Sequence, residues 1–263
     1  MVFDMLRHKR AIRGFWKLPV LLWAAVLIWV PAPIHAQSPD VTNEYRVTLF
    51  PFHKINDHLT GFGYLGYVKN PDSDYSLYYM GWPGLNYQAK KWLQIWVGFF
   101  YIYTNNEFKA DKFELRPFVG PKIFLPNKYK MNLYNFTRYE YRRTKDRATD
   151  QWTTVHRIRS RFGAEIPLTS LEKAWKPKTF YGIGDVEPFF RSDKKALDPF
   201  RLRAGLGYVA NDRLRVEFIY HAQFGRATTD DPLEYNQNIF RLNFKLGLHQ
   251  GILDRNQNPG VDE

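Results

Sequence analysis

The chain has no cysteine. Disulfides, thiolate metal centres and a lipid-modified cysteine anchor are thereby excluded, and cohesion must come from backbone pairing and burial. Long hydrophobic runs are missing too. The longest, residues 18–30, holds thirteen residues, where a spanning helix needs about 20. The richest later stretch, residues 95–103, is shorter still, and the mean hydropathy of the chain is negative. Helical membrane crossing is excluded on length. Paired arginines of the twin-arginine type do not precede the apolar run.

What stands at the N-terminus is a charged leader. Arg7, Lys9, Arg10, Arg13 and Lys17 precede the apolar run against one acid, Asp4. A basic n-region followed by a short apolar h-region predicts a cleavable secretory signal peptide over residues 1–36. Cleavage falls after Ala36, with Ile34 larger than the small residue usual at its position; an uncleaved anchor is the alternative. Removing that segment takes five basic and one acidic side chain from totals of 38 and 26, so the mature chain stays basic. Export, and arginines dispersed and not gathered into a patch, argue against nucleic acid as the partner of that charge. Lipopolysaccharide, outer-membrane lipid and small anions are the expected partners, and no cofactor is expected.

The mature sequence is organised around residues 155–166. Arg157, Arg159, Arg161 and Glu165 fall on one parity, and Ile158, Phe162, Ala164 and Ile166 on the other. In an extended strand these parities are opposite faces. The same pattern returns along most of the chain in segments near the 9–11 residues of a membrane-crossing strand. With 17% aromatic residues, whose rings favour membrane interfaces, this predicts a closed antiparallel transmembrane β-barrel over residues 37–248, followed by a polar tail, 249–263. Only closure satisfies every backbone group inside a bilayer.

Eleven strands can be counted: residues 42–50, 59–68, 75–87, 92–103, 113–124, 131–143, 155–166, 179–189, 200–208, 214–223 and 239–248. Because bacterial single-chain barrels have even numbers, twelve is the expectation and ten the alternative, with the ambiguity placed before residue 90. Gly81-Trp82-Pro83-Gly84 is expected to form a bulge or a strand end. Pro117 is awkward for a strand with two neighbours. Residues 92–103 are apolar on both faces, so their lumen side is expected to pack against something, such as an inward-folded loop.

Several short motifs then stand in order: Glu114-x-Arg116, Arg138-x-Glu140-x-Arg142, Arg157-x-Arg159-x-Arg161, Glu187-Pro188-Phe189 and Arg201-x-Arg203-x-Gly205-x-Gly207-Tyr208. The series, over roughly residues 40–248, resembles the family called Domain of Unknown Function 2490. That resemblance implies an exported outer-membrane barrel of unassigned activity.

The charges expected to face inward are Arg46, Arg116, Lys122, Arg138, Arg142, Arg157, Arg159, Arg161, Arg201, Arg203, Arg215, Arg241 and Lys245. Against them stand Glu44, Glu114, Glu140, Glu165, Asp185, Glu187 and Glu217. The plain reading is a structural network in which arginine forks bridge carboxylates on neighbouring strands. The functional reading is a narrow, anion-favouring, porin-like pore. A barrel enzyme acting on envelope lipid is an alternative, for which Ser160 and His156 lie on the apolar parity and His221 is a single inward histidine. A surface-binding barrel using its loops is another. The sequence favours a barrel without catalytic or metal residues; Asp254-x-Asn256-x-Asn258 lacks the glycine and bidentate glutamate of a calcium loop.

Overall fold

The computed structural model describes residues 41–73, 75–106, 110–194, 197–226 and 231–248. The expected signal peptide and C-terminal tail lie outside the described residues. Among the described residues eleven strands follow in chain order. They are β1 (Thr42–Lys54), β2 (Leu59–Asn70), β3 (Tyr75–Lys90), β4 (Leu93–Asn106), β5 (Lys112–Leu125), β6 (Asn132–Asp146), β7 (Trp152–Pro167), β8 (Thr179–Arg191), β9 (Phe200–Val209), β10 (Leu214–Gly225) and β11 (Glu234–Gly247). A single 3-10 turn, Pro71–Ser73, joins β2 to β3.

Each strand pairs with its neighbours in sequence, and β1 pairs with β11, so the sheet closes into a barrel. The ten consecutive contacts are antiparallel; the closing one is parallel. This corrects the even-numbered, wholly antiparallel expectation. In an up-and-down ring with an odd number of strands, the first and last run the same way and can close only in parallel. The direct count before residue 90 needed no extra strand there.

Alternation is the reason these segments are strands, and register makes it a common interior. Glu140 lies opposite Arg157, Asp185 opposite Arg203, Glu217 opposite Asn243, and Arg46 beside Arg241. All twenty inward charges named from the sequence share that face. The opposite parity carries Tyr45, Leu65, Val97, Ile158, Phe162 and Phe218, each 40% exposed or more.

The awkward positions are resolved by local irregularity. Gly81 pairs with Phe100 and Gly84 with Gly98, so residues 82–83 form the bulge. Facing it, β2 slips between Phe62 and Tyr64. Pro117 is accommodated on one side: β4 pairs with β5 without interruption, whereas the β5–β6 ladder omits residues 116–117 and 120–121, where Pro117 and Pro121 lie. A proline lacks a donor, so the missing bonds fall on one neighbour.

Candidate functional site: a basic lumen with an aromatic wall

The interior holds a cavity of about 510 Å³. Its polar wall runs from β5 round to β11 and is built by arginine forks reaching across strands. Arg142 grips Glu114 with Nε and Nη2, each at 2.8 Å, and Arg116 Nε reaches the same carboxylate at 2.6 Å. Glu140, fully buried, accepts from Arg138 Nε at 2.6 Å and Arg157 Nε at 2.8 Å, with Arg159 Nη1 at 3.5 Å. Arg159 also donates to Glu187 Oε1 through Nε (2.9 Å) and Nη2 (2.5 Å), joined there by Arg161 Nε at 3.0 Å. Arg203 holds Asp185, with Nε at 2.5 Å. Shared carboxylates thus tie β5 to β9 in a girdle of charge-assisted bonds.

A second group lies towards β10 and β11. Lys245 Nζ is 2.5 Å from Glu217 and 3.6 Å from Glu165. Tyr181 and Asn243 donate to the two oxygens of Glu217, at 2.7 and 3.1 Å. At the β1 seam Arg46 pairs with Glu44, which also accepts from Tyr75 at 2.7 Å. Every residue of the charge network read from the sequence therefore faces inward, and most of them are joined.

The girdle is unequal in what it shows to the cavity. All thirteen cations line it, but of the seven carboxylates only Glu44, Glu165, Glu187 and Glu217 do. Glu114, Glu140 and Asp185 are sunk beneath arginines. Lys122, Arg201, Arg215 and Arg241 enter none of the ion pairs among the described residues. They are held by neutral groups: Phe124 and Tyr134 rings for Lys122, Gln223 Oε1 at 2.7 Å for Arg201, the Trp175 ring for Arg215, and Tyr64 Oη at 2.5 Å for Arg241. Arg215 Nε, Arg241 Nε and both ring nitrogens of His221 are buried without a protein partner, as is Glu187 Oε2.

The other wall was missed by sequence reasoning. Phe62, Phe100, Ile102 and Phe118 form a buried cluster inside the barrel, with Phe52, Tyr64, Leu77, Tyr79 and Trp96 packed on it. The rings can lie flat because inward glycines sit beneath them. A Cβ on Gly84 would meet the Phe62 ring at 2.4 Å, and one on Gly98 would meet Phe118 at 2.7 Å. The lumen side of β4 therefore packs against rings from β2 and β5, which replaces the expected inward-folded loop. A loop does turn inward elsewhere. In the β7–β8 connection, Trp175 Nε1 donates to Lys130 O at 2.7 Å and its ring lies 5.0 Å from Tyr181, against the cluster of Tyr181, Ile183, Val209 and Ile219.

The residues weighed for catalysis do not assemble. His156 Nδ1 is engaged by Tyr139 Oη at 2.6 Å and Ser160 Oγ by Thr137 and Asn135 at 2.7 and 2.9 Å, all on the outer face. Among the described residues no group of three or more histidines, cysteines or acids could hold a metal ion.

Closed next-neighbour strand order and a cation-rich interior define the class: an up-and-down β-barrel built around a charged lumen. The chain belongs to the family described as "Protein of unknown function (DUF2490)", whose model matches residues 50–234. A search of curated proteins found no match.

Proposed function

We propose that this protein is an outer-membrane β-barrel whose basic lumen admits small anions and performs no covalent chemistry. One observation carries the reading: every lumen cation lines the cavity, while three of the seven carboxylates are withdrawn into the wall. Of the network charges, an anion inside meets thirteen cations and four carboxylates at the cavity wall, an excess that favours anions over cations.

Membrane residence is supported by the outward parity, where exposed Tyr, Val, Leu, Ile and Phe side chains would be costly to hydrate. Even the ten residues of β9, at about 3.3 Å each and tilted about 45°, cover about 23 Å, close to an outer-membrane apolar band. The cavity, about 510 Å³, is of the size that takes small solutes.

The test is a planar-bilayer recording under a KCl gradient. The expected result is a small conductance with a reversal potential on the chloride side; cation preference, or silence at all voltages, contradicts the reading.

A further inference from the structure

We infer that the lumen is a binding site for an anionic amphiphile, a small aromatic or short-chain carboxylate. Its head would lie at Arg201, Arg241 and His221, and its apolar body against Tyr64, Phe100 and Trp96. This rests on the anion-admitting reading and narrows the solute class.

The head site is built and unsatisfied. His221 is 1% exposed, lines the cavity, and has neither ring nitrogen bonded. It faces Arg203 across β9 and Ile239 across β11, and the charges acting on it are Arg203, Arg241, Arg46 and Arg201. Arg241 keeps its Nε unpartnered. Buried polar atoms without partners are costly; the Arg241 Nε–H and the one N–H of a neutral His221 ring, both on this cavity wall, are donors that an acceptor would satisfy. A carboxylate supplies two oxygens in the planar arrangement that guanidinium forks match.

The body site adjoins it through one residue. Arg241 Nη2 donates to Tyr64 Oη, and the Tyr64 ring meets Phe100 edge-on, with centroids 5.3 Å apart at 88°. Phe100 stacks on Phe118 at 5.1 Å, and Phe62 links that stack to Trp96 at 4.8 Å. Tyr64 and Trp96 remain only partly covered and line the same cavity. A bare inorganic anion would satisfy the head and leave these rings wet. A neutral hydrocarbon would do the reverse. A carboxylate with a ring or short chain satisfies both, and about 510 Å³ lies within the range of small-molecule sites.

Equilibrium dialysis against the full barrel in phosphatidylcholine nanodiscs, with empty discs subtracted, tests this using 2-naphthoate, acetate and 2-naphthalenemethanol. Naphthoate should bind about tenfold or more tighter than either comparator. Arg241→Gln should weaken it by about tenfold, and Trp96→Ala should weaken naphthoate more than acetate. Heat-shifted gel mobility reports whether each variant is folded, and His221→Leu serves in place of a head variant that is not. Acetate binding as tightly as naphthoate overturns the inference while an anion-selective current leaves the pore reading intact. Equal binding of the alcohol overturns the role of the head group. Absence of both anion binding and anion current removes both readings.

Discussion

The two sides of the lumen solve one problem in different ways. Between β2 and β5 the interior is filled by rings laid over glycines: Phe62 over Gly84, Phe118 over Gly98, Phe100 over Gly81. From β6 to β11 it is filled by arginines anchored on shared carboxylates such as Glu140 and Glu187. The aromatic side is held by shape and area, so it should tolerate loss of polarity and fail on a change of volume. The charged side is held by mutual neutralisation, so it should tolerate small changes of volume and fail when a carboxylate is lost.

The sharpest break is at Glu140. Glu140→Ala strands Arg138 and Arg157, while Arg159 keeps Glu187, and removing one partner of a buried ion pair costs about 3–5 kcal/mol. Urea unfolding in lipid, followed by gel mobility, should show that loss; a change under about 1 kcal/mol would mean water screens the girdle. On the aromatic side Phe118→Ala should cost about as much by opening a cavity, whereas Phe118→Leu should recover most of it. Gly84→Val sharpens the contrast. Its side chain must displace the Phe62 ring, a destabilisation of about 1–3 kcal/mol, while Arg138→Lys on the charged side, of similar bulk, should cost less.

The seam is expected to be next in sensitivity. Parallel pairing is slightly weaker per residue than antiparallel, and β1 and β11 are joined additionally by Thr48 with Asn243 and by Asn238 with Asn43 at 3.1 Å. Asn243→Ala removes the bonds to Thr48 and Glu217 together and should cost about 1–3 kcal/mol. Hydrogen exchange should then rise first in β1 and β11. The smallest effect is expected at the end of β8, where the strand meets its loop. Arg191 donates to Asp193 at 2.9 Å and holds its carboxyl below the usual range. That pair stabilises the fold above the ordinary carboxylate range and is lost as pH falls through the lowered value. Asp193→Asn should cost less than about 1 kcal/mol at neutral pH, with the difference vanishing in acid.

The same contrast explains what could be read from the sequence. On the charged side Arg157, Arg159 and Arg161 mark one parity without ambiguity, and the whole network could be written down with its facing. On the aromatic side both parities of β4 are apolar, Val97 and Tyr101 outside and Trp96 and Phe100 inside, so alternation carries no sign. The glycine positions were the missed signal. Gly81, Gly84 and Gly98 all face inward, the bulge at 82–83 switching the inward parity of β3 from odd to even, and an inward glycine beside aromatic strands marks a ring lying across it. Strand number was also legible in the direct count, and only the even-number rule displaced it. Nothing local in the sequence announces a parallel closing pair, because it depends on the ring as a whole.

The absence of cysteine allows the central claim to be tested directly. Single cysteines at Ile158→Cys and Arg241→Cys can be placed in an otherwise unreactive chain, and the barrel reconstituted in lipid vesicles. A small charged maleimide should label position 241 from the aqueous phase and leave 158 unlabelled, with a fluorophore attached at 158 before reconstitution quenched by brominated acyl chains. Rapid aqueous labelling at 158 without quenching would show water on the apolar face and contradict a barrel seated in a membrane.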